Sequence, residues 1–200
     1  CIIILRKHDQ EKWPVFGLEL EQVISQRRSI RKFLPQSVEE SKIERLIESA
    51  RLCQSAKNRQ PWKWMVLQHE SKDQVADIML DLFQQNDVEL PGYINSSKAS
   101  AQIIKNAPLL LLVFWEKDDI WLQSDFLSIG AAIEHVCLEA VNLNLGSVWI
   151  RDTEYTEKEI CAHLGYPDLQ LVSAIAVGYP AESPPQRPRK TKEEILLQKR

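Results

Sequence analysis

Two short runs of this chain carry side chains that can do chemistry. In Arg27-Arg28-Ser29-Ile30-Arg31-Lys32-Phe33, three arginines and a hydroxyl fall within five residues. Guanidinium groups present paired donors to the oxygens of an anion, and a serine hydroxyl adds another, so this run can surround a phosphate. The same composition suits a solvated basic turn or a nucleic-acid patch. The second run is Ser55-Ala56-Lys57-Asn58-Arg59-Gln60-Pro61-Trp62. Asn58 and Gln60 each offer a carbonyl and an amide, which can read the alternating donors and acceptors of a heterocycle such as a flavin pyrimidine ring. Pro61 pushes Gln60 out of the α region and makes an extended turn there. A polar helix-to-strand loop is the plain alternative.

Other chemistries find little support. Cys1, Cys53, Cys137 and Cys161 form no C-x-x-C pair and read as buried thiols of a reducing cytoplasm. The six glycines never form G-x-G-x-x-G or G-x-x-x-x-G-K, and no G-x-S-x-G elbow occurs. The four histidines never approach H-E-x-x-H spacing. His135 stands beside Glu134, but adjacent helical residues point about 100° apart, which favours a structural role and leaves no metal site. With 25 Lys+Arg against 28 Asp+Glu, the net charge is −3, so no global field recruits nucleic acid or an anionic membrane. Any phosphate site must be local.

The elements that would position these runs can be read from periodicity. The 200 residues are 44% hydrophobic, enough for one sizeable core. Leu18, Leu20, Val23 and Ile24 suggest a helix before the basic run. Ser37–Glu40, Ser71–Gln74 and Thr156–Glu159 each match a capping box, predicting helices that bury Ile43, Leu46, Ile47 and Ala50, then Val75, Ile78, Met79, Leu82 and Phe83, then a short segment closed by Gly165. Strands are expected at 62–68, 109–115, 147–150 and 171–178. The longest apolar run, Ala107–Trp115, has nine residues, against about 20 for a membrane span, and reads as a buried strand. A long helix is expected from Ile120 to Leu145, slim at Gly130-Ala131-Ala132. The segment from Gln84 to Ser100, with Pro91-Gly92 and Tyr93, reads as a turn-rich lid. The opening Cys1–Leu5 is too short for a signal-peptide core and suggests a fragment or processed end, with a lipoprotein cysteine as the alternative.

Taken together, the two runs resemble the nitroreductase family of FMN-dependent oxidoreductases, whose usual patterns are R-R-S-x-R-x-F and then P-S-x-x-N-x-Q-P-W. The likeness continues through Asn106-Ala107-Pro108, Leu145-Gly146-Ser147-Val148-Trp149-Ile150 and Ala176-Val177-Gly178-Tyr179-Pro180, covering roughly Leu18 to Leu196. Gln54 stands where the family pattern has proline. Residues 1–16 lie outside the likeness, as an N-terminal extension of unknown role.

The resemblance implies an α+β fold with a mainly antiparallel sheet flanked by helices. It also implies a single FMN-binding domain over 17–200, in a homodimer whose tail from about Ser183 is exchanged. Arg27, Arg28, Ser29 and Arg31 would hold phosphate, ribityl or ring oxygens, and Arg187 or Arg189, with Lys190 less favoured, would complete the phosphate clamp. Ser55, Asn58 and Gln60 would reach the isoalloxazine, presumed to come from the partner chain. The segment Arg151-Asp152-Thr153 would supply a backbone N–H near flavin N5. No side chain need act as acid or base, because the cofactor carries the electrons. NADH or NADPH would deliver hydride in a ping-pong cycle to a nitroaromatic, quinone or activated-alkene acceptor, with Tyr93 as a candidate acceptor contact. Within the family, dehalogenation and flavin destruction are alternatives, and a non-turnover FMN-binding sensor module is a third.

Overall fold

The computed structural model describes residues 17–81 and 95–198. Four strands, β1 (Trp62–Gln68), β2 (Leu109–Trp115), β3 (Gly146–Ile150) and β4 (Gln170–Gly178), pair antiparallel in the order β1-β2-β4-β3. Side chains alternate across a strand, and here both faces are covered. Leu109, Leu111, Val113 and Trp115 of β2 join Ile175 and Val177 of β4 against helices α2 (Glu40–Arg51) and α5 (Leu122–Asn142). Leu110, Leu112, Phe114, Ala174 and Ala176 face α3 (His69–Asp81), α4 (Asn95–Asn106) and α6 (Glu157–His163). A central strand buried on both sides has no polar face to display. That is why 109–115 is apolar throughout rather than alternating.

The expected strands stand within a residue of their observed ends, but two helix starts differ. The helix α2 opens at Glu40 without a side-chain cap, and Glu39 instead accepts a 2.7 Å hydrogen bond from the Tyr179 hydroxyl. The helix thus starts two residues after the cap expected at Ser37, with Glu39 at the N-cap position. Similarly, α3 begins at His69, directly after β1, with His69 at φ 51°, and Ser71 donates to the Gln68 carbonyl at 2.7 Å. The third start, at Thr156–Glu157, is as expected, but the Thr156 hydroxyl is buried without a partner rather than capping α6. Gly165 closes α6 at φ 81°. From Asn95 onward, the segment read as a lid is helical instead, because Ser97, Ala101 and Ile104 recur at helical spacing and are buried. Tyr93 and the extension 1–16 lie outside the described residues.

Cys53, Cys137 and Cys161 are buried free thiols, and burial pushes Cys137 up to about 11. No helix among the described residues is long and apolar enough to cross a membrane.

Candidate functional site: a basic cleft and a strained turn

The basic run follows α1 (Leu20–Gln26), whose last turn ends at Arg27. From there the chain is extended and laid along the sheet edge. Ile30 N–H donates to the Ser147 carbonyl at 2.9 Å, and Ser29 forms a parallel bridge to Ser147 of β3. A few residues on, Leu34 N–H donates to the Tyr179 carbonyl at 2.8 Å and Ala181 N–H donates to the Lys32 carbonyl at 2.9 Å. The run is thereby held between β3 and the chain leaving β4. Its approach requires a glycine: a Cβ on Gly146 would stand 2.7 Å from Ile30 Cγ1.

Glu182 completes this seam. Its carboxylate accepts from the backbone N–H of Arg31 at 2.6 Å and of Lys32 at 3.2 Å. The tail therefore leaves in a direction that returns it to the basic run. Arg27, Arg28, Ser29 and Arg31 share a cavity of about 370 Å³ with Pro184, Pro185, Arg187 and Arg189. Lys190 is not among the lining residues. Arg27 keeps one carboxylate partner outside it, Glu134 of α5 at 3.3 Å. Arg28 and Arg31 turn one nitrogen each to nearby backbone carbonyls, Ser25 at 2.7 Å and Ser29 at 3.2 Å. Five guanidinium groups and a hydroxyl around one cavity, with no lining carboxylate, form a donor set for a phosphate-sized anion.

The second run is organised differently. Between α2 and β1 it makes a tight turn in which Lys57, Asn58 and Gln60 have φ values of 55°, 55° and 50°. These are left-handed conformations that glycine tolerates and Lys and Gln disfavour. Ser55 Oγ accepts from Gln60 N–H at 2.9 Å, and Ala56 N–H donates to Ser128 Oγ of α5 at 3.2 Å. Arg59, between the two candidate ring-reading amides, points inward. It donates to both oxygens of Asp125, at 3.0 and 3.2 Å, and to Asp118 at 2.8 Å. Asp125 has no accessible surface and also accepts from Trp115 Nε1 at 3.0 Å. The Arg59 hydrogen bond, with help from Trp115, holds its carboxyl below the ordinary 3.8 even though burial opposes this.

The third expected segment follows β3. Arg151 pairs with Glu154 and lines a separate cavity of about 560 Å³ with Phe126, Gly130 and Trp149. Asp152 accepts from Ser100 Oγ at 2.6 Å, which ties the turn to α4.

Within one chain, then, the structure joins Arg27, Arg28, Ser29 and Arg31 to Arg187 and Arg189, but Ser55, Asn58 and Gln60 do not line that cavity. The two runs meet α5 at Ser128 and at Glu134. Six residues along a helix is a rotation of about 240°, so they approach its axis from directions about 120° apart. Arg59, Asp125 and Glu182 were not singled out by sequence reasoning. Arg59 lay inside the quoted motif, yet nothing local distinguishes an inward arginine from a solvated one. His135 is structural, with Nδ1 3.2 Å from the Ser49 carbonyl.

The model of the nitroreductase family matches residues 24–179, and the chain belongs to that family. An Archaeoglobus fulgidus protein assigned as an NADH dehydrogenase/NAD(P)H nitroreductase is 27% identical over 173 residues, which is 82% of this chain and 87% of the relative. A Desulfovibrio desulfuricans structure, assigned as a nitroreductase and solved in complex with FMN, is 25% identical with a TM-score of 0.73, covering 92% of this chain and 98% of the other. A BluB-like flavoprotein from Clostridium difficile 630 is 26% identical with a TM-score of 0.75, covering 92% and 100%.

Proposed function

We propose that this protein is an FMN-dependent oxidoreductase that takes electrons from NADH or NADPH and passes them to a small nitroaromatic, quinone or related acceptor. One observation carries the reading: arginines from opposite ends of the chain converge on one cavity whose lining holds no carboxylate. A phosphate monoester fits that donor set, and the relatives that share the fold include an FMN complex.

FMN held there would supply the two-electron redox chemistry that links the nicotinamide to the acceptor. The chain's own residues bind and orient. Arg27, Arg28, Ser29 and Arg31 with Arg187 and Arg189 hold the phosphate end. Asn58 and Gln60, exposed at the tip of their turn, read the pyrimidine edge, and Ser55 shapes that turn through Gln60 N–H. Arg151 and Asp152 would supply a backbone N–H to the ring from a turn that the Asp152 carboxylate ties to Ser100 of α4. A complete site then needs two copies, one for the phosphate end and one for the ring, in a cytoplasmic homodimer of a domain spanning 17–200. Leu20, Ile24, Leu127 and Trp149 are 68%, 57%, 72% and 45% exposed in one chain, which supports apolar surface covered by a partner. The tail from Ser183 would wrap that partner.

An absorbance spectrum of the purified protein, followed by anaerobic titration with each nicotinamide, tests the reading. Bound flavin bleached by NADH or NADPH is expected. A protein that neither carries nor takes up FMN overturns it, and flavin that binds but is never reduced leaves a binding module without turnover.

A further inference from the structure

We propose that Arg59 is a positioning residue: its guanidinium, gripped by Asp125 and Asp118, holds the turn from Ser55 to Pro61 in a conformation its own residues disfavour and so presents Asn58 and Gln60 to the flavin ring. The proposal rests on the flavin reading above. Its support is the opposition of two local features. Three non-glycine residues within four positions have left-handed backbone, an arrangement that persists only where the surroundings over-determine it and that gathers at ligand clamps. The short-range contacts of the turn are the backbone bonds from Asn58 N–H to the Ser55 carbonyl and from Arg59 N–H to the Ala56 carbonyl, both 3.0 Å, with Gln60 N–H to Ser55 Oγ and Gln60 Nε2 to Asn58 Oδ1 at 3.2 Å. None of them ties the outer half of the turn to the rest of the fold.

Beside the bond from Ala56 N–H to Ser128 Oγ at the start of the turn, Arg59 provides the anchorage of the turn's outer half. Two of its hydrogen bonds reach one carboxylate with no accessible surface, a third reaches Asp118, and the guanidinium lies 4.8 Å from the centre of the Trp121 ring. A planar fork on a buried, doubly oriented carboxylate sets direction as well as distance. The residues on either side of Arg59 are exposed while Arg59 is half-buried. The turn is therefore pinned through its middle residue, with the two amides facing outward.

The test separates the ring end of the ligand from its phosphate end by comparing FMN with riboflavin, which lacks the phosphate. In the full chain, Arg59→Met should weaken both flavins by the same factor, about tenfold, the lower end of what is lost when the partner orienting a ligating group is removed. Arg59→Lys keeps the charge without the two-pronged grip and should recover part of that affinity. Adding Lys57→Gly to Arg59→Met should also recover part, because glycine adopts the left-handed region without steric cost. A residue that only stabilised the fold would shift the melting temperature and leave these ratios alone.

Both flavin affinities within twofold of the original in Arg59→Met overturn the proposal. If that variant does not fold, full affinity in Arg59→Lys overturns it instead. Asn58→Ala distinguishes the two levels: weakened flavin binding there with Arg59 silent removes only the positioning role, whereas no flavin binding by the unaltered protein removes both readings.

Discussion

The arginine cleft and the Ser55–Pro61 turn both offer hydrogen bonds, yet they are built on opposite principles. In the cleft the backbone is relaxed and extended, tied to β3 and to the chain after β4 by main-chain hydrogen bonds, and the functional groups are flexible side chains at its mouth. In the turn, by contrast, the backbone is strained and the half-buried side chain proposed to fix it is gripped by the buried Asp125. Charge binding tolerates loose geometry because a dianion attracts any nearby guanidinium. Reading the edge of a heterocycle requires donors and acceptors at set positions, and there a rigid, costly backbone is useful.

The comparison is broken most severely at Asp125. Asp125→Ala leaves Trp115 Nε1 without its partner and Arg59 with Asp118 alone, and should cost the most stability of these changes. Urea denaturation should show that loss, with no comparable loss from a change at Arg187. The pH dependence has a definite sign. Because the folded carboxyl titrates below 3.8, its contribution is complete above the unfolded value and lost as pH falls through the folded one. Replacing it in Asp125→Asn should therefore flatten the acid limb of the stability curve below about pH 4.

Arg27→Ala acts on the other region and should weaken FMN by roughly 10- to 100-fold, since a charge-assisted hydrogen bond contributes about 1.5–3 kcal/mol. Riboflavin affinity should change little, and Arg27→Lys should restore FMN binding in part. Raising salt should weaken FMN binding and spare riboflavin, because exposed charges are screened. Flavin fluorescence titrations read all of these.

A smaller effect is expected at the seam. Gly146→Ala places a methyl against Ile30 and should destabilise by about 1–3 kcal/mol through overpacking. It should also lower FMN affinity, because the basic run is carried on Ile30. Thermal melts with and without FMN separate the two consequences. The smallest change is an increase: Lys57→Gly removes about 1–2 kcal/mol of left-handed strain and incurs about 0.5–1 kcal/mol of glycine entropy. The net gain should be about 0.5 kcal/mol, detectable as a slightly higher melting temperature.

Much of this protein could be read from its residues because the signals are local or periodic. The apolar run at 109–115 read as a buried strand and 171–178 as another strand, and both form. The spacing of Ile129, Ile133, Val136 and Ala140 marked α5, and the two motif runs supplied most candidate site residues. The reading was least accurate at helix starts. Neither helix starts at the box expected for it: α2 opens at Glu40 behind Glu39, whose carboxylate accepts from Tyr179, and β1 turns directly into α3 at His69. One local signal went unread: Thr191 and Glu194 in the tail cap a short helix, α7 (Lys192–Ile195), through reciprocal hydrogen bonds at 3.3 and 2.7 Å.

By itself, the sequence determined which residues are available for chemistry and roughly where helices and strands fall, because side-chain type and short-range periodicity are properties of neighbouring positions. The fold class and the family came from the likeness of its motif runs to the nitroreductase pattern. Only the tertiary structure decided which arginines share a cavity, that Glu182 steers the tail back to them, and that Arg59 faces inward. These are pairings across roughly 60 to 150 positions, such as Arg59 with Asp125 and Arg31 with Glu182. No local preference encodes them. They form because closing the sheet between its helices brings those segments together, and the long-range contact then outweighs the conformational preference of a few residues.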